Sequence, residues 1–86
     1  MNLQKYITET KVYYLSGQTP TNCNSIIFYN TGSSKVIIDG IPLTQLQQIV
    51  ITGSIGELLV KQYSFEFIQT AESRNELTII YKKYVS

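Results

Sequence analysis

The sequence predicts an all-β domain, a small antiparallel β-sandwich of about seven to eight short strands with an N-terminal strand or arm. Three observations lead there. Apolar and polar residues alternate with a period of two through most of the chain, the signal of a strand with one wet face. Clusters of Gly, Asn, Asp, Ser and Pro interrupt that alternation at roughly 8–12-residue spacing, as in sandwiches and barrels. No window carries the apolar periodicity of an ordinary helix.

The elements follow in order. Val12 and Tyr14 alternate with Tyr13 and Leu15 in a strand-like N-terminal segment. Residues 16–22 (SGQTPTN) read as a polar loop, so residues 1–22 form an N-terminal strand or arm plus loop, and residues 23–86 form the sandwich core of a single domain. Residues 25–29 (SIIFY) and 35–39 (KVIID) are short bursts of β-formers, separated by the turn cluster NTGSS. Asp39-Gly40 is a hairpin dipeptide, because a type I′ turn needs positive φ at both central positions. Pro42 cannot donate to a sheet, which places it at an edge or a bend. Thr44 could cap a single helical turn over residues 44–48, too short to stand alone. Ile49 and Ile51 share one face of the next strand. Gly53 and Gly56 bracket a further turn. Leu59, Tyr63, Phe65 and Phe67 occupy odd positions, and Leu77, Ile79 and Tyr81 alternate with Thr78, Ile80 and Lys82.

Composition narrows the function. A chain of 86 residues with one cysteine and no histidine has neither disulfide nor zinc to support a small core. Burial against other subunits or a larger partner is the remaining aid. The net charge is +1, and the basic residues are scattered apart from Lys82-Lys83, so no stripe for nucleic acid is present. Charged residues make up 15% of the chain, below the ~25% typical of soluble domains. Such a surface, rich in hydroxyls and amides, suits lasting contact with protein. No apolar run approaches the ~20 residues of a membrane span. The first five residues open no signal peptide, which predicts synthesis and assembly in a cytoplasm.

The residues that could carry chemistry each have a structural explanation. Cys23 has no histidine to act as its base. Among the acids, Asp39 belongs to its turn, Glu57 follows a glycine turn, and Glu9, Glu66, Glu72 and Glu76 suit solvent or loops. Residues 53–56 lack the following helix that a phosphate cradle needs. No catalytic residue, metal or cofactor is expected. The seven tyrosines leave three readings open: strand-face packing, a protein interface, or a ligand platform. Doubled aliphatics such as 26–27, 36–38, 49–51 and 79–80 place apolar groups on both strand faces. Either loops and the first strands cover the outer faces, or a neighbouring subunit does.

The order N-T-G, then V-x-x-x-G-x-P-L (Val36, Gly40, Pro42, Leu43), then I-x-x-x-G-x-x-G-E (Ile49, Gly53, Gly56, Glu57), then Tyr63 and Phe67, resembles small β-sandwich virion proteins of tailed bacteriophages, including crAss-like phages. The resemblance covers residues 25–84. The chain differs in its spacer, residues 44–48, and in Leu58-Leu59, where a more polar pair is usual. The resemblance implies an auxiliary capsid protein, of the decoration or cement type, that contacts the major capsid protein or other virion proteins as a homo-oligomer or in many copies on the particle, without nucleic acid or membrane. The alternatives are a head–tail or tail component, and a carbohydrate- or host-surface-binding β module. Tyr6, Tyr13 and Tyr14 in the N-terminal segment, with Leu58, are the candidate interface residues. Asp39, Gly40, Pro42, Gly53 and Gly56 are expected to form the corners.

Overall fold

A computed structural model describes residues 5–53 and 56–85. Among the described residues there are eight strands: β1 (Lys5–Tyr13), β2 (Gly17–Pro20), β3 (Ser25–Asn30), β4 (Lys35–Ile38), β5 (Ile41–Leu43), β6 (Gln48–Thr52), β7 (Gln62–Ile68) and β8 (Leu77–Val85). They form two four-stranded antiparallel sheets. Sheet I has the order β1-β8-β3-β6, and sheet II the order β2-β7-β4-β5. The fold is therefore the expected small β-sandwich, and its strand order is that of an eight-stranded jelly roll.

The buried residues are the alternate ones. Ile26, Phe28, Leu77 and Ile79 point inward from sheet I, and Val36, Ile38, Leu43, Tyr63, Phe65 and Phe67 from sheet II. Rings join the layers: Phe28 meets Tyr63 at 5.1 Å between centroids, and Tyr13 meets Phe65 at 4.9 Å. Side chains from two inner faces interdigitate in this way to make a sandwich core.

Of the predicted N-terminal strand or arm, residues 5–22 are described, and they contribute to both sheets. β1 pairs with β8 from Lys5↔Val85 to Tyr13↔Leu77. Residues 16–22 are not simply a polar loop, because Gly17–Pro20 is a strand paired with β7. Its hydroxyl and amide residues hide that role. Thr19 is buried and its hydroxyl bonds the Tyr13 and Tyr81 hydroxyls. Ser16 Oγ accepts from the Phe67 N–H at 2.9 Å.

The corners follow the local chemistry. Asp39 (φ 47°) and Gly40 (φ 85°) join β4 to β5, the two positive φ values of a type I′ turn. Pro42 lies in β5, an edge strand. Residues 44–47 form a turn rather than a capped helical turn: Gln47 N–H donates to Thr44 O, and Leu46 has φ 65°. Gly53 and Gly56 act differently. A Cβ on Gly53 would lie 2.7 Å from Asn24 O, whereas Gly56 has open space but φ +94°. The rest of that turn, Ser54 and Ile55, lies outside the described residues.

Candidate interaction face

The two outer faces differ in chemistry. In sheet II the outward residues of β2 and β7 alternate with the buried ones and include Pro20, Glu66 and Ile68 beside three amide or hydroxyl side chains, Gln18, Gln62 and Ser64, that bond one another. Gln62 Nε2 donates to Gln18 Oε1 at 2.5 Å, and Gln18 Nε2 to Ser64 Oγ at 3.4 Å. Glu66 stands beside Ile37 in the same layer. Along β2 and β7 that face is polar around Gln18, Gln62, Ser64 and Glu66, with Ile68 as its exposed aliphatic.

Sheet I presents a different surface. The register sets Val50, Ile27, Ile80 and Thr10 in one row across all four strands. On one side runs the row Gln48, Tyr29, Thr78 and Val12, and on the other Thr52, Ser25, Lys82 and Thr8. Val50 is 50% exposed and Val12 43%. A shallow groove of about 230 Å³ lies between Thr8, Ser25, Ile27, Val50, Thr52, Ile80 and Lys82. Lys82 is the only charged residue in these three rows, and its ammonium lies over the Tyr6 and Tyr84 rings, at 4.3 and 5.2 Å. An apolar row bordered by threonines and almost free of charge has the composition of an interface core, where charged residues are depleted.

β1 and β8 run on past the rest of the sheet. β3 reaches β8 only as far as Ser25↔Lys82, while Lys5–Ile7 continue to pair with residues 83–85. Tyr6 and Tyr84 meet edge to face at this tip, 6.2 Å between centroids.

The candidate interface residues separate. Tyr6 lies on the sheet I outer face at the ribbon tip. Tyr13 turns inward and is half-buried against Phe65, so it serves packing. Tyr14 is exposed just beyond β1, where its carbonyl accepts from Asn75 Nδ2 at 3.3 Å. Leu58 is exposed at the opposite end, beside the Cys23↔Leu59 bridge. The structure thus does not gather these four into one patch. The residues that do share a face, Ile27, Val50 and Ile80, were visible in the sequence only as apolar excess.

Chemical groups elsewhere are few. Cys23 is buried beside a cavity of about 200 Å³ that also touches Glu9, Lys11, Tyr81 and Lys83. Burial pushes its thiol above the ordinary value, which keeps it protonated and poorly nucleophilic at neutral pH. Asp39 accepts from the Ser64 N–H at 3.0 Å and pairs with Lys61 at 3.0 Å. The Ser64 N–H first, then the Lys61 ammonium, hold its carboxyl below the usual range. Among the described residues no three His, Cys, Asp or Glu side chains gather to hold a metal.

Two buried asparagines were not singled out by the sequence pattern. Asn30 opens both the turn cluster and the N-T-G of the resemblance, and nothing in its neighbourhood marks it as buried. No protein-family model, no curated protein and no solved structure matches the chain.

Proposed function

We propose that the protein is a non-enzymatic structural component of a tailed-phage virion, an auxiliary capsid protein that decorates or cements the shell. On this reading it is made in the host cytoplasm and held on the particle by protein–protein contact with the major capsid protein or another virion protein. The observation that carries the proposal is the sheet I outer face, an apolar row framed by threonines with one charge in three rows. A small domain that leaves such a face uncovered gains most by burying it against protein. β1 borders the same face, so the N-terminal strand and the sheet offer one continuous surface. The jelly-roll strand order adds an argument by analogy alone, since that architecture recurs in viral capsid domains and equally in lectins.

Quantitative mass spectrometry of purified virions tests the proposal. The expected result is a fixed copy number per particle. Val50→Asp places a charge in the apolar row at an exposed edge position. It is expected to abolish loading onto particles while melting stays unchanged. Absence from purified virions, or full loading of Val50→Asp, would sink the proposal.

A carbohydrate- or host-surface-binding module is the second reading, favoured by the pair of exposed Tyr6 and half-buried Tyr84 at the ribbon tip. It predicts glycan binding that is lost in Tyr6→Ala and unaffected by Val50→Asp.

A further inference from the structure

Of the four edge strands, β1 is the least guarded. β2 ends in Pro20 and β5 contains Pro42, and proline blunts a sheet edge. β6 has five residues. β1 has nine, with no proline and no glycine, and every residue from Lys5 to Val12 is exposed. Between Ile7 and Tyr13 it pairs with β8 on one side and with no other described strand on the other. A long open edge of this kind is a template for another strand.

The charges on β1 choose that strand. Glu9 and Lys11 lie on the same side of it, where the Lys11 ammonium pairs with the Glu9 carboxylate at 3.5 Å, about half of one side chain and two thirds of the other being exposed. Consider two copies of β1 paired antiparallel around a two-fold axis. With Glu9 or Lys11 on the axis, like charges meet directly. With Thr8 on the axis, Lys5 meets Lys11 and Glu9 meets Ile7. With Thr10 on the axis, each Glu9 faces the other copy's Lys11, so two opposed ion pairs form. In that register Val12 also faces Thr8, and Ile7 faces Tyr13. Opposite charges directly across a strand pair stabilise it and like charges oppose it. An axis at Ile7 would set Glu9 against Lys5, but among the described residues it pairs only 5–9.

We propose that β1 is a dimerisation edge: two copies of this chain join their sheets I antiparallel about Thr10, held by backbone hydrogen bonds and by reciprocal Glu9–Lys11 pairs. The contact is isologous, as a two-fold interface requires. It extends the threonine and apolar outer face across both copies. The inference concerns the free chain and is independent of attachment to a shell.

Sedimentation velocity of the intact chain, without particles, tests it. The wild type is expected to be a dimer that weakens with added salt. Glu9→Lys and Lys11→Glu each create like-charge contacts twice across the axis, and each is expected to weaken association by roughly tenfold. The double variant E9K/K11E restores opposed charges and is expected to restore the dimer. Melting curves confirm that each variant is folded. Thr10→Cys is expected to cross-link two chains under mild oxidation, because directly opposite Cβ atoms lie about 4.5–5.5 Å apart, while Ile7→Cys is not. A monomeric wild type would overturn the proposal. So would a dimer indifferent to both single charge reversals, a double variant that stays dissociated, or cross-linking at Ile7 as readily as at Thr10.

Discussion

Asn24 and Asn30 stand at the two ends of β3, and both are buried. Asn30 Nδ2 donates to Ser34 O and Leu43 O, each at 2.8 Å, and its Oδ1 accepts from the Gly32 N–H at 3.1 Å. Asn24 Oδ1 accepts from the Tyr84 N–H at 2.7 Å, and its Nδ2 donates to Glu57 O. Each side chain satisfies backbone groups of loops and strands that no ladder reaches. Asn30→Ala strips a buried donor from the Ser34 and Leu43 carbonyls, while the Gly32 N–H keeps the Glu76 carbonyl at 3.0 Å. It is expected to lower the unfolding free energy by about 3 kcal/mol, read as a drop in urea midpoint with an unchanged slope. Tyr81 offers a second test. Burial first, and its Tyr13 neighbour next, push the hydroxyl up to about 12, although the Thr19 bond works the other way. In the unfolded chain it titrates near ~10. Between those values the folded chain keeps a proton that the unfolded chain has lost. Stability is therefore full below about pH 10 and falls as pH rises toward 12. Tyr81→Phe is expected to flatten that alkaline decline in denaturation curves measured across the range. Such residues are illegible in sequence, because an asparagine at a turn and one inside a core have the same neighbours in the chain.

At the scale of elements, alternation located the apolar strands well. β3, β4, β6, β7 and β8 fall where doubled or alternating aliphatics place them. The misreading falls on a strand without an apolar pattern. β2 is built from Gly, Gln, Thr and Pro, and it is a strand because β7 offers it an edge and Tyr13 and Tyr81 offer Thr19 their hydroxyls. β1, by contrast, lies within the N-terminal strand or arm that the sequence predicts, and β8 supplies a partner along its whole length. Turn chemistry was more legible, since positive φ constrains residue type locally. The Gly53–Gly56 corner divides two demands between two glycines, as the Asn24 contact and the φ of +94° show. Gly56→Val strains the backbone without meeting a neighbour. It is expected to cost about 1–3 kcal/mol of stability, measured as a lowered melting temperature with partner binding intact. Unchanged melting with lost binding would instead make Gly56 a contact site.

For the whole molecule, the sequence pointed to a β-sandwich but not to its strand order. Period-two alternation says which side of a strand is wet, and nothing about which strand lies beside it. The same limit hid the interaction face. Ile27, Val50 and Ile80 come from three separate segments and become neighbours only through the β6-β3-β8 register. Tyr6, Tyr13 and Tyr14 are close in sequence, yet the strand sends Tyr13 inward and the others to different surfaces. That β1 and β8 lie side by side also bears on timing. They are the first and last strands in chain order, so during synthesis β1 emerges long before its neighbour exists. Leu77 and Ile79, both fully buried, arrive with that last strand. Until then Ile26 and Phe28 have β6 on one side and lack the strand that flanks them on the other. Contacts of such long sequence separation make folding slow. The chain can finish its fold only once β8 has left the ribosome, and unfinished copies then expose to one another the strand edges that the finished sheet closes.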